Sequence, residues 1–315
     1  MAAAARRLPR RVLAPVLLGG VLLGGWTAYM WYIYDYDSGL AKRARDAAYK
    51  AAMTVKITPL RGGLFMLQGD GGNVTALSGD DGVLIVDSDL DWMAEKIDAA
   101  LKTLTDKPVR YVINTHFHDD HRGGNGHFHR LGAEIIAHRK TLENMKADTD
   151  APAGPDDLPT ITFQDEYHLS FGGEDILVRY VPNAHTDSDV FAYFPVANVL
   201  AAGDAFSFGC FPYISTGTHG TIDGHLAGQE QLLALVDDET LIVPGHGDLA
   251  DRKGLAETSW RLGEIRDYVS LLKSMGISVW MSRAFYPTCA WRADWRQEHI
   301  SDRFFLSLVY KTVPD

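Results

Sequence analysis

From about residue 60 the chain is a succession of short apolar runs broken by Gly and Asp. "GLFML", "NVTALSG" and "GVLIVDS" follow one another with tight breaks between them, the pattern of strands paired through turns. Residues 91–104, "DWMAEKIDAALKTL", change period: Trp92, Ile97, Leu101 and Leu104 fall on or near one face of a helix. "PVRYVINT" is then a mostly apolar strand, and "AEIIAH", "EYHLSF", "DILVRYV", "VFAYFP" and "NVLAAG" are further strand candidates. A helix over residues 222–236, a short strand "TLIVP" and a long helix around 253–275 close the series. Two strand-rich halves, each ending in helices, predict sheets packed together inside and helices outside. The Pro- and Asp-rich stretch 146–159 reads as a surface connector, and residues 276–315 as a helical extension covering one edge.

The N-terminus has a different pattern. Arg6, Arg7, Arg10 and Arg11 precede an uninterrupted stretch from Val12 to Tyr34 without a charged residue, and Asp35 is the first acid of the chain. As a helix this stretch would reach roughly 34 Å, enough for a bilayer and longer than the apolar region of a usual signal peptide. Trp26, Tyr29, Trp31, Tyr32 and Tyr34 would form an aromatic belt at its far end. The expectation is an uncleaved signal anchor with a linker over residues 1–50, with a signal peptide cleaved near Ala41 as the second choice. The arginine cluster places the N-terminus inside and the body of the chain outside the cytoplasm, periplasmic or lumenal. Lys42, Arg43, Arg45 and Lys50 weaken that contrast, and an Arg-rich, acid-free leader also suits organellar targeting. Gly20 and Gly24 are read as small residues tolerated in such a helix.

A formal net charge of −11 argues against nucleic acid as a partner, because phosphate-binding surfaces are basic. Two cysteines, Cys210 and Cys289, are too few for a disulfide scaffold or a zinc finger, although an oxidising compartment would allow them to pair.

The chemistry is concentrated in "THFHDDHRGGN", residues 115–125. In an extended segment positions i and i+2 share a side, so His116 and His118 present two imidazoles to one point. A turn after His118 would swing Asp120 and His121 toward a second point, with Gly123 and Gly124 permitting the tight geometry. Further donors stand singly at the ends of predicted strands: His185 after "DILVRYVPNA", Asp204 after "NVLAAG" and His246 after "TLIVPG". Imidazole nitrogens and carboxylate oxygens suit Zn²⁺ best, with Fe or Mn also compatible. Asp87, ending "GVLIVD", is placed either to orient a ligand histidine or to make a strand-end turn. His127, His129, His138, His168 and His299 are read as ordinary polar residues, and so are His219 and His225 near the predicted rim.

With these motifs in place, the chain resembles the metallo-β-lactamase superfamily. The matching residues are the H-x-H-x-D-H set, "NAHTDSD" around His185, "AAGDAF" around Asp204 and "VPGHG" around His246, within about residues 55–250. The resemblance implies an α+β fold, a four-layer αββα sandwich over residues 51–275, with a dinuclear site at one edge. It implies that His116, His118 and His185 hold one Zn²⁺, that Asp120, His121 and His246 hold a second, and that Asp204 bridges them. Asp120 and Asp204 are then the acids at the reacting centre, and a metal-bridging hydroxide is the nucleophile.

Asp204 also bears on the substrate. Similar β-lactam-cleaving enzymes usually carry Cys or Ser there, whereas Asp resembles glyoxalase II, lactonases and phosphodiesterases. The expectation is a zinc-dependent hydrolase of a small-molecule ester, lactone or thioester, with β-lactam hydrolysis as the alternative. The surroundings of "VPGHG" depart from glyoxalase II, which weakens the thioester case. A membrane-tethered metal-binding scaffold without turnover would be marked by lost ligands, and all seven positions are filled. The oligomeric state is not legible.

Overall fold

The structure, a computed structural model, describes residues 47–285, 295 and 300–314. The expected signal anchor therefore lies outside the described residues, as does Cys289. Among the described residues no helix is long and apolar enough to cross a membrane. The chain divides into residues 1–53 and 54–315, and in the first of these α1 (Ala47–Ala52) is described.

The second unit contains two sheets. The first has seven strands in sequence order: β1 (Lys56–Pro59), β2 (Leu64–Gln68), β3 (Val74–Gly79), β4 (Gly82–Val86), β5 (Val109–Asn114), β6 (Glu134–His138) and β7 (Ile161–Phe163). The first four are joined as antiparallel neighbours, and β4 to β7 run parallel. The second sheet is ordered β12 (Leu241–Val243), β11 (Val199–Ala201), β10 (Asp189–Phe194), β9 (Glu174–Val181) and β8 (Glu166–Phe171), with β11 and β12 parallel. The apolar run of β4 is buried at all five positions because both of its faces are covered, whereas β8 alternates between exposed and half-buried positions.

Period-2 alternation decides which side chains meet. Leu64, Met66, Leu84, Val86, Ile113 and Ile136 from the first sheet pack against Ile176, Val178, Val190, Ala192, Phe194, Val199 and Val243 from the second. The intervening residues of the second sheet, Phe191, Leu200 and Ile242, face the other way. There they meet Leu232 of α6 (Ile222–Leu235) and Leu255 of α7 (Arg252–Ser274). On the first sheet, α4 (Asn125–Arg130) packs on β5 and β6 and against α2 (Ala94–Lys102), while α5 (Arg139–Ala147) packs on β6 and β7. The layers are therefore helices, sheet, sheet and helices, as the patterning predicts.

Several elements are absent from the sequence reading. Strand β1, helix α5 and strand β7 were not visible in the pattern: β1 is a half-exposed edge strand, β7 has three residues, and α5 is a mostly polar surface helix. The stretch 146–159 is anchored beneath the histidine motif. The buried Arg122 donates to the carbonyls of Phe117 and Ala151, and Asn125 donates to the carbonyl of Asp157. In the C-terminal segment, α8 (Val279–Phe285) and α9 (Asp302–Thr312) are described. Phe305, Leu306 and Val309 of α9 pack with Ile222 of α6 and Leu262, Ile265 and Val269 of α7.

Candidate metal centre

The site lies where the carboxyl ends of parallel strands from both sheets converge. Strand β5 ends at Asn114 and releases the extended segment carrying His116 and His118; His118 then begins the single-turn helix α3 (Asp119–Arg122), which turns Asp120 and His121 inward. Opposite it, β11 and β12 pair with Val199 beside Leu241 and Ala201 beside Val243. Continuing that register brings Asp204 alongside His246, and Gly245 N–H donates to the carbonyls of Gly203 and Phe206 to fix both loops.

All seven predicted residues are brought together. His118 Nδ1 lies 3.1 Å from His116 Nε2 and 2.8 Å from His185 Nε2. In the other half, His246 Nε2 lies 3.2 Å from His121 Nε2 and 3.3 Å from Asp120 Oδ2. Asp204 stands between, presenting Oδ2 to His185 Nε2 at 3.4 Å and Oδ1 to His121 Nε2 and His246 Nε2 at 3.2 and 3.5 Å. The donor atoms form the groups His116–His118–His185 and Asp120–His121–His246, and a third, His116–His121–Asp204, between them.

The far nitrogens show why the near ones point inward. His185 Nδ1–H donates to the carbonyl of Tyr213 at 2.7 Å. Asp87 is fully buried; its Oδ1 accepts from Thr115 N–H at 2.7 Å, and its Oδ2 accepts from Thr115 Oγ1–H and His121 Nδ1–H, both at 2.8 Å. With its proton committed to Asp87, the Thr115 hydroxyl accepts from His116 Nδ1–H at 3.1 Å. This network assigns the tautomers of two rings, Nε2 of His116 and of His185 each turning a lone pair into the cluster, while His121, held to Asp87 through Nδ1–H, offers Nε2 to an ion by giving up the second proton its acidic neighbours favour. Thr115 was not singled out from sequence, although its place beside His116 was the available signal. For Asp87 the structure favours the orienting role.

The residues fit divalent metal ions. Asp204 Oδ1 is buried beside Nε2 of His121 and of His246, and the rings of His116, His121 and His185 commit their outer N–H groups to protein acceptors, which leaves their inner nitrogens for an ion. Burial, reinforced by His121 and His185, pushes His116 well below the usual histidine range. Burial also lowers His118, and it brings His185 down to about 4. These three are neutral, the form in which imidazole binds a metal. In the other half burial is outweighed by opposite charge: Asp204, Asp120 and Asp87 hold His121 well above its ordinary value, and Asp204 and Asp120 raise His246. In return, burial of Asp120 and Asp204 is overcome by the surrounding histidines, and both carboxyls are held ionised.

Glycine is needed here for close approach. A Cβ at Gly72 would lie 2.2 Å from the His121 ring, and one at Gly123 would lie 2.3 Å from Asp91 N. Gly123 itself has an ordinary helical φ of −59°, so the freedom expected of it from sequence is steric rather than conformational. The other described histidines belong to none of these donor groups. His127 reaches Asp98, His129 the Ala133 carbonyl and His138 the Gln164 carbonyl; His168 lies near Glu166, and the exposed His219 near Asp187. His225 is buried in α6, and His299 lies outside the described residues.

A fold and site of this kind define a metal-dependent hydrolase class, and comparison with known proteins identifies the family. The model of the metallo-beta-lactamase superfamily matches residues 67–246, and the chain belongs to that superfamily. It is 27% identical over 163 residues to metallo-beta-lactamase IND-1 of Chryseobacterium indologenes, covering 51% of this chain and 66% of that protein, just under two thirds of its length. It is 26% identical over 188 residues to a metallo-beta-lactamase type 2 of Bacillus cereus, covering 59% and 71%. Among solved structures, the metallo-beta-lactamase from Pontibacter korlensis superposes with a TM-score of 0.57 at 18% identity, covering 67% of this chain and 99% of that one. At that identity the likeness concerns the fold.

Proposed function

We propose that residues 51–275 form a dinuclear zinc-dependent hydrolase domain acting on small-molecule esters or lactones. His116, His118 and His185 would hold one ion, and Asp120, His121 and His246 the other, with Asp204 contributing one carboxylate oxygen to each. The observation that carries this reading is the split of Asp204, Oδ2 toward one trio and Oδ1 toward the other. When bound, a pair of divalent ions polarises a scissile carbonyl and lowers the pKa of water toward neutrality. The chain's own part is to hold the donors rigidly, keep the imidazoles neutral on one side and keep both carboxylates ionised. Asp120, whose side chain is 31% exposed, is the one of the two carboxylates at the centre that solvent can still reach, and its negative charge would help hold the second ion.

β-Lactam hydrolysis is the second reading, favoured by the similarity to IND-1. It ranks lower because Asp204 stands where similar β-lactam-cleaving enzymes usually carry Cys or Ser. On the sequence argument, the domain is tethered outside the cytoplasm by the N-terminal segment.

Elemental analysis of the protein lacking residues 1–50, with a panel of ester, lactone, thioester, phosphodiester and β-lactam substrates, tests this. Two ions per chain and preferred ester or lactone turnover are expected. A stoichiometry near zero after metal reconstitution refutes the mechanism, and dominant β-lactam cleavage refutes the ranking.

A further inference from the structure

Tyr213 is fixed to the metal centre through its backbone, since its carbonyl accepts the His185 Nδ1–H bond. Its ring lies over the same half of the site, 5.7 Å from the His185 ring and 6.1 Å from that of His118. It is not a core residue: 38% of it remains exposed. Its outer neighbour is Phe304 of α9, stacked at 6.3 Å between centroids and 16° from parallel, and 44% exposed. The next residue, Phe305, is fully buried among the helices, and the Ser301 hydroxyl accepts from Phe304 N–H at the start of α9. Phe304 is thus held by a rigid helix while its ring faces outward. It lies beyond residues 67–246, the part of the chain that matches the superfamily.

Tyr213 meets the His118 and His185 rings tilted or edge-on, at 52° and 65°, and stacks on Phe304, so two part-exposed aromatic rings lead outward from the metal centre. An exposed pair of this kind loses free energy to water unless something apolar covers it.

We infer that Tyr213 and Phe304 form the subsite for an uncharged, apolar acyl or aryl group next to the scissile carbonyl, so that the C-terminal helix selects hydrophobic esters or lactones. This rests on the hydrolase reading above and specifies its substrate class. Phe304 acts by touching the substrate and takes no part in bond breaking.

The test uses a series of p-nitrophenyl esters from acetate to octanoate with the full-length, metal-replete protein. The ratio of kcat/KM for octanoate over acetate should favour the long chain. Phe304→Ala should lower that ratio about tenfold, the scale expected when part of an alkyl chain is left in water instead of against a ring, and Phe304→Trp should keep it within about threefold. Calorimetry with free octanoate and acetate supplies a readout independent of turnover: octanoate should bind more tightly, and Phe304→Ala should abolish the difference. If esters are hydrolysed but Phe304→Ala leaves the ratio and the binding difference unchanged, or lowers kcat/KM equally for every ester, the subsite is refuted while the hydrolase reading stands. If metal-replete protein hydrolyses no ester or lactone, the hydrolase reading fails and the substrate inference with it.

Discussion

Asp87 lies outside the seven-residue cluster, yet it controls the tautomer of a candidate ligand in each half. Asp87→Asn preserves size and tolerates the left-handed backbone at this position, φ +64°. The amide oxygen can still accept from Thr115 N–H. Its NH₂ would then face the Thr115 hydroxyl and His121 Nδ1, where a carboxylate oxygen now accepts from both at 2.8 Å. To accept from that NH₂, the neutral His121 that binds an ion would have to carry its proton on Nε2, the atom lying 3.2 Å from both Asp204 Oδ1 and His246 Nε2. The alternative is to leave a donor facing a donor. Either outcome forfeits a hydrogen bond to a buried charged group, about 1.5–3 kcal/mol, which corresponds to roughly a 10- to 100-fold loss of metal affinity. The loss should fall mainly on the ion held by Asp120, His121 and His246, because His116 is reached only through the Thr115 hydroxyl. Competition with a chromogenic chelator measures the two affinities separately, with near-ultraviolet circular dichroism confirming the fold. The Asn variant should release one ion at chelator concentrations that leave two on the parent. Affinities within about threefold of the parent for both ions would refute the tautomer argument.

Asp204→Ser or Asp204→Cys removes the carboxylate shared by the two trios and should lower metal content and reduce ester kcat/KM by about a hundredfold or more; unchanged activity and metal content would reduce Asp204 to a turn residue. Asp89 is fully buried, with Oδ1 accepting from Gly71 and Leu90 N–H while Oδ2 has no partner, and burial pushes its pKa up to about 7. Its ionisation therefore destabilises the fold progressively as pH rises from about 4 to about 7. In metal-free protein Asp89→Asn should be more stable than the parent by up to about 4 kcal/mol at pH 8, and denaturant unfolding at pH 4 and pH 8 should show that gap closing at the lower pH. A pH-independent difference would refute the assignment. Full-length protein should stay in membranes through a carbonate wash if residues 12–34 act as the signal anchor, and release at full length would contradict it.

The sequence alone determined the features that depend on short-range pattern. The apolar runs "VFAYFP" and "DILVRYV", bounded by Asn, Asp and Gly, predicted strands. The spacing of His116, His118, Asp120 and His121 showed a donor cluster, because an extended segment followed by a turn leaves those side chains few other arrangements. Tertiary structure decided what separate segments do to one another. The strand register that sets Asp204 beside His246 has no local signature, nor has the burial that makes Asp87 a shared acceptor for Thr115 and His121. Strand β1 and helix α5 were missed because their half-exposed or mostly polar residues hold no apolar period strong enough to announce them; neighbouring elements hold them in place. The same reason hid Tyr213 and Phe304. Each is an ordinary aromatic in its own segment, and only the packing of α9 against α6 and α7 brings the two rings together beside the metal centre.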